Sequence, residues 1–420
     1  MQRVMKLAKY LPEHNVAPRV LTASNPSVPV FDSSLLRDLP SDIPVARVKT
    51  FEPGYASKQR AWDAERERSS PGLGRRVRLG LARLARGLAR QTLLPDPQIL
   101  WQPAAQVALW SELRRGTDVV FISGPPFSQF LLAPLAQRRA AVVLDYRDEW
   151  STYRTTYEMM GGTLARLVGN SLEGTLLRRA NVVTTATEEF REGLLTRFPF
   201  LDPHRVHSIP NGYDPPDFPT ELPQPSEQRL VLAYAGTVFK LTSARGLLGA
   251  IRRVWVQEPE LARLLSVRFM GRVVETELDA FAGSDLIGVA RLGYLPHAEV
   301  LRELAASHLV LCILDDVPGV ERIFPAKIFE LMYLGRPILT LAPDSALARL
   351  VSRHRLGTVL PPRDEVRIAE FLIARLRSFK SGVVPPVAGA VDIGRYARRA
   401  LAGEFAELFR DAVADRNRRS

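Results

Sequence analysis

Short apolar runs rich in β-branched residues recur along this chain, and each is followed by a longer stretch with helical periodicity. The first runs are "APRVLTA", "DVVFISG", "AVVLDYRD", "NVVTTAT" and "RVHSIPNG". A strand covered by helices on both faces reads as a continuous apolar run, whereas a half-exposed strand alternates. The pattern therefore predicts a parallel, doubly wound α/β sheet. Residues 211–228, "NGYDPPDFPTELPQPSEQ", break it with five prolines and no periodicity, which reads as a linker. The alternation then restarts with "LVLAYAGT", "LSVRFMGR", "IGVARLGYL", "HLVLCIL", "RPILTLAP" and "LGTVLPP". Two α/β domains are expected, at 1–214 and 229–390, joined by a linker at 215–228. Residues 391–420 supply a C-terminal helix and tail, with Tyr396, Leu401, Phe405, Leu408 and Phe409 on one stripe.

Composition narrows the partners. The net charge is +12, and only seven of 57 basic residues are lysine. Such a balance reads either as a basic surface with no dedicated partner or as attraction to nucleic acid, anionic lipid or phosphorylated substrates, and no nucleic-acid motif is present. The single cysteine, Cys312, excludes a disulfide framework or a cysteine-rich metal site, and six scattered histidines form no metal pair. Residues 74–96 place Val77, Leu81, Leu84 and Leu88 on one side and six arginines on the rest. The stretch from Arg75 to Arg90 reads either as a surface helix or as one lying on an anionic membrane. No signal-peptide core opens the chain, and no apolar run nears the roughly 18 residues of a membrane span. A cytoplasmic protein is expected, peripheral at the inner membrane face if the arginine segment binds lipid. The first residues are already helical, with Val4, Leu7, Ala8 and Leu11 on one face. Doubly wound domains open with a strand and a Gly-rich turn, so that strand and turn are expected to be missing from the first domain.

In open α/β sheets, ligands gather at the carboxyl ends of strands. In the first domain, Asp145, Arg147 and Asp148 crowd one such end in "VVLDYRDEW", facing either each other or a cleft. Thr187 reads as a helix N-cap. In the second domain, Gly236 allows close backbone approach after a strand, and Lys240 and Arg245 are that loop's cations. "LGYLPHAEV" sets Gly293, Tyr294 and Leu295 at a strand end and Pro296–His297 at a helix start, either a neighbour for a base ring or a simple βα turn. "FPAKIFELMYLGRPILTL" reads as loop, short helix, turn at Gly335 and strand. Lys327 in its first turn suits a phosphate and Glu330 a ribose diol; the alternative is that these two pair with each other at i, i+3. Arg336 has no assignment.

"DYRDEW", "IPNGYD", "YAGTVFK", "GYLPHAEV" and "FPAKIFELMYLGRPIL" together resemble, in order and spacing, the retaining family 4 of GT-B glycosyltransferases. The resemblance covers nearly the whole chain. It implies two Rossmann-like domains facing a cleft, with a C-terminal helix returning toward the first. It implies a retaining, hexosyltransferase-type enzyme that moves a sugar from a nucleotide-diphosphate donor to a glycan, glycolipid or small-molecule acceptor. Bacterial surface polysaccharide or glycolipid assembly is the expected setting. No cofactor or metal is expected, protein cations meeting the diphosphate charge instead.

Carried over by position, Glu330 matches the ribose-holding glutamate. Ala326, Lys327 and Ile328 match the helix start beside the phosphates, and Gly236 and Thr237 the loop under the diphosphate. Lys240 or Arg245 supplies the charge that family members carry where Thr237 stands. Gly293, Tyr294 and Leu295 complete the donor side. Asp145 and Asp148 match the acidic cluster toward acceptor or sugar, so Asp145, Asp148, Lys240 and Lys327 are the catalytic candidates. The family's paired glutamates lie seven residues apart; here Arg322 occupies the partner position and Glu321 is one residue off. Two other functions fit a chain with these departures: nucleotide-sugar binding without transfer, and nucleotide-sugar 2-epimerisation.

Overall fold

The computed structural model describes residues 2–28, 39–57, 93–150, 163–283, 285–383 and 390–419. The arginine segment from Arg75 to Arg90 lies outside them. The chain divides into two compact units, Met1–Ile209 with Ala402–Ser420, and Pro210–Leu401.

In the first unit, helix α1 (Gln2–Tyr10) precedes strands β1 (Val20–Ala23) and β2 (Val45–Val48), which pair in parallel. The apolar-run criterion misses β2. Its sequence is VARV, and it stays partly exposed. A second parallel sheet runs β3 (Val119–Gly124), β4 (Ala141–Tyr146), β5 (Val182–Thr185), β6 (Val206–Ser208). All six residues of β4 are buried, the two-sided burial that its continuous apolar run predicts. The Thr187 side chain caps the helix Glu188–Arg197, accepting from the Phe190 N–H at 3.1 Å. The long C-terminal helix (Arg398–Arg419) gives its body to this unit: Phe405 and Phe409 meet Phe121 of β3 with ring centroids 5.3 and 5.6 Å apart.

Among the described residues, the two sheets of this unit do not join. An apolar cavity of about 1600 Å³ is lined by α1, by β1 and by β3, with Leu7, Leu21 and Phe121 on its walls. Among the described residues, neither β1 nor β3 has a strand partner on its second edge.

In the second unit, six parallel strands stand in the order β12-β11-β10-β7-β8-β9. They are β7 (Leu230–Ala235), β8 (Leu265–Met270), β9 (Val289–Gly293), β10 (Leu309–Ile313), β11 (Ile338–Leu341) and β12 (Gly357–Leu360). The chain winds outward from β7 to β9, then returns to lay β10 on the other side of β7. This is the doubly wound order, and its reversal point lies between β7 and β10. One face packs on helix α2 (Arg245–Gln257) through Leu247, Leu248 and Ile251. On the other lie α3 (His297–Ala305) and α4 (Ile328–Leu334), with Leu301, Leu304, Phe329 and Leu331 buried. Full burial of each such side chain stabilises the fold by about 1.5–3 kcal/mol. The proline-rich stretch after Asn211 packs on this unit, Tyr213 and Phe218 both contacting the Tyr333 ring. No helix among the described residues is long and apolar enough to cross a membrane.

The open edge of β3 has a measurable consequence. Ala141 N–H donates to Asp118 O and Arg147 N–H to Gly124 O, so the β3 amides of Val120 and Ile122 point toward β4. Those of Val119, Phe121 and Ser123 point the opposite way, because successive amides alternate in a strand. Unpaired edge amides exchange readily. Residue-resolved hydrogen exchange is expected to be faster at 119, 121 and 123 than at 120 and 122; equal protection would mean that this edge is paired.

Candidate nucleotide-sugar site

The candidate site is built at the carboxyl end of β7, beside the reversal point. Gly236 has φ +139°, a region that L side chains rarely adopt, and a Cβ there would lie 2.6 Å from Lys327 Nζ. Only glycine fits both the turn and the approaching ammonium. Lys327 Nζ donates to Ala235 O at 2.6 Å and sits 3.7 Å from the Tyr234 ring centroid. The ring face attracts the cation without neutralising it. Lys327 has no carboxylate partner among the described residues. A carbonyl and a π face hold this half-buried ammonium without supplying an opposite formal charge.

Glu330, one turn along α4, does not pair with Lys327. Its Oε1 lies 3.0 Å from His297 Nε2, and 17% of its side chain is exposed. The i, i+3 pairing that the spacing allows is thus not made. Lys327 reaches to β7 and Glu330 reaches to α3. Lys327 is the N-cap of α4 rather than a first-turn residue, and the Ile328 N–H is already given to Pro325 O. Ala326 is exposed and Ile328 buried.

The other loops converge on the same edge. Gly236 N–H donates to Met270 O, and Gly271 N–H to Gly293 O at 2.6 Å, which ties together the ends of β7, β8 and β9. Gly293 turns with φ +70°, and Tyr294 beyond it is half-exposed. Leu295 packs on the core below α3. The Thr237 carbonyl accepts from Tyr234 Oη and Thr242 Oγ1, fixing the loop while the residue stays exposed. Lys240 is exposed and its side chain has no ion-pair partner among the described residues.

Other predicted residues are engaged elsewhere. The Arg245 guanidinium binds Asp279 through two hydrogen bonds and also the Thr276 carbonyl, which holds the Asp279 carboxyl below its usual range. Arg322 bonds its neighbour Glu321 at 2.9 Å. Arg336 donates to Ala305 O and Pro223 O, tying the proline-rich stretch to the end of α3. Burial pushes the Cys312 thiol up to about 11, which keeps it protonated and unreactive at neutral pH. Among the described residues, no cluster of three His, Cys, Asp or Glu side chains is placed to hold a metal.

In the first unit, Asp145 is fully buried. Its two oxygens accept from Arg3 Nε and Nη2, Ser123 Oγ and Thr184 Oγ1, all within 3.2 Å. Four donors saturate a carboxylate's lone pairs. Asp145 therefore does not open to a sugar in this arrangement; the internal Asp–Arg pair is made, though with Arg3 rather than the neighbouring Arg147. Arg147 instead donates to the Pro125 carbonyl. Asp148 is exposed. Sequence reading had no means of finding Arg3, which stands 142 residues from its partner.

A family model described as a glycosyl transferase 4-like domain matches residues 2–212. The chain belongs to the glycosyl transferase 4-like family. Its fold is also that of solved glycosyltransferases. Sucrose-phosphate synthase from Thermosynechococcus elongatus aligns over 98% of this chain and 92% of its own, with TM-score 0.60 and 14% identity. The lipopolysaccharide outer core galactosyltransferase WaaB aligns over 97% and 94%, at 0.55 and 13%. HepE of Anabaena, solved with UDP-glucose, aligns over 95% and 97%, at 0.54 and 13%. No curated protein matches the chain in sequence. The two parallel-sheet units are thus the two Rossmann-like domains of a GT-B glycosyltransferase fold.

The buried Asp145 cluster yields a test of its role. Removing one partner of a buried ion pair costs about 3–5 kcal/mol. Asp145→Ala is expected to destabilise the first unit by that amount in chemical denaturation. A variant of unchanged stability would mean that the cluster does not hold this unit together.

Proposed function

We propose that this glycosyltransferase binds a nucleotide-diphosphate sugar at the carboxyl ends of β7 and β9 and transfers the sugar with retention at the anomeric carbon. The observation that carries the reading is Lys327: an ammonium with no carboxylate partner among the described residues, near the sheet's reversal point and beside the tight turn at Gly236. Lys327 and the exposed Lys240 meet the diphosphate. Glu330 accepts from the ribose hydroxyls, and the loop at Gly293 and Tyr294 lies beside the base. When the bond between the anomeric carbon and the phosphate oxygen breaks, negative charge grows on the departing diphosphate. Fixed cations stabilise that charge without reorganising, and on this reading no metal is required. HepE, with UDP-glucose bound, supports a nucleotide sugar as donor; WaaB, named for lipopolysaccharide, supports a glycan or lipid-linked acceptor. The stretch from Arg75 to Arg90 would bring the enzyme to an anionic membrane that presents such an acceptor.

A second reading, donor binding without transfer, is favoured by one observation. Asp145, a fully buried acid at a strand end of the first unit, is saturated by its own protein. Nucleotide release from a bound donor separates the two: turnover supports transfer, and tight binding with no release over hours supports binding alone.

Titrating Glu330→Ala with nucleotide sugars tests the donor site. A hydrogen bond lost to a charged group is worth about 1.5–3 kcal/mol, so affinity is expected to fall by that amount. Unchanged affinity would remove Glu330 from the site.

A further inference from the structure

Glu330 presents two unlike oxygens. Oε1 is fixed by His297 Nε2 at 3.0 Å, whereas Oε2 has no hydrogen-bond partner among the described residues and is not sealed from solvent. A carboxylate only accepts, so in this contact the donor is His297 Nε2–H. His297 is the first residue of α3, following Pro296 at the N-cap. It reaches Glu330 from a separate strand–helix unit, 33 residues away in sequence. Local helix spacing therefore does not make this contact. The sheet makes it, by bringing the β9 loop alongside α4.

We infer that His297 is a positioning residue for the nucleotide ribose. It holds the Glu330 carboxylate in one rotamer, with Oε1 occupied and Oε2 left to accept from the ribose diol. This rests on the reading of Glu330 given above. A glutamate on a partly exposed helix loses rotamer freedom when it meets a ligand. A hydrogen bond already in place makes that loss before binding, and the ligand gains the difference as affinity. Lys327 emerges three residues earlier on the same segment and is itself pinned to β7. The phosphate cation and the ribose acceptor are thus anchored from two different strand ends, which fixes the span between them. A plain structural role for the pair would staple α3 to α4 with no preference for a ribose hydroxyl.

The test is calorimetric titration of wild type, His297→Ala, His297→Gln and Glu330→Ala with UDP, GDP and ADP. The 2′-deoxy and 3′-deoxy forms of whichever binds are titrated alongside. His297→Ala is expected to weaken the ribonucleotide about 3- to 10-fold, the scale of one hydrogen bond. His297→Gln, which keeps an N–H at similar reach, is expected to stay within about two-fold of wild type. Against the deoxy form lacking the hydroxyl that Oε2 receives, the His297→Ala loss is expected to vanish. An equal loss against both sugar forms, or no loss in a His297→Ala protein when Glu330→Ala does bind weakly, would overturn the positioning role alone. Unchanged affinity in Glu330→Ala would overturn the ribose reading itself, and with it this inference. Binding of none of the three nucleotides would overturn the donor site.

Discussion

The second unit is organised around one hydrogen bond, from the Lys327 ammonium to the last carbonyl of β7. It joins the sheet's central strand to the start of α4 at the point where the strand order reverses. A Cβ at position 236 would lie 2.6 Å from the ammonium and displace it, and the φ of +139° there is one that L side chains rarely adopt. Tyr234 beneath the ammonium completes its surroundings with a π face instead of a carboxylate. Ordinary folding thermodynamics favours neutralising a half-buried cation with an internal acid. The nearest acid in sequence, Glu330, is turned away to His297. Among the described residues no acid meets this charge, which is what supports the proposed binding role.

The first unit treats its charges in the opposite manner. Asp145 stands at the equivalent place, the end of a fully buried strand, but four donors close it off. Arg3 also donates to Ile209 O, so one guanidinium links α1, β4 and the residue after β6. The cluster holds the open end of a unit whose strands lie in two sheets with an apolar cavity beside them. Asp145 is saturated by donors of its own unit, whereas Lys327 meets a carbonyl and a ring and has no carboxylate among the described residues.

The fold was legible because two-sided burial writes itself as continuous apolar runs; β4 and β10, buried at every position, are the clearest cases. β2 escaped because a partly exposed VARV has no such run. Lys327, Glu330 and Gly236 were legible as charges and a glycine in places where a core would not want them. What stayed hidden was partnership. Arg245 points to Asp279 and Glu277, and Arg322 to Glu321. No periodicity distinguishes a cation aimed at a ligand from one aimed at a neighbouring loop. His297 was visible only as a ring at a helix start, and its meeting with Glu330 depends on sheet order that no local pattern encodes.

The central claim is that Lys327 holds charge for a diphosphate. Its most direct measurement compares Lys327→Met with wild type, binding first a nucleoside diphosphate and then the matching nucleoside. Loss of a charge-assisted contact is expected to weaken the diphosphate about 10- to 100-fold and to leave the nucleoside unchanged. Equal weakening of both, or of neither, would contradict it.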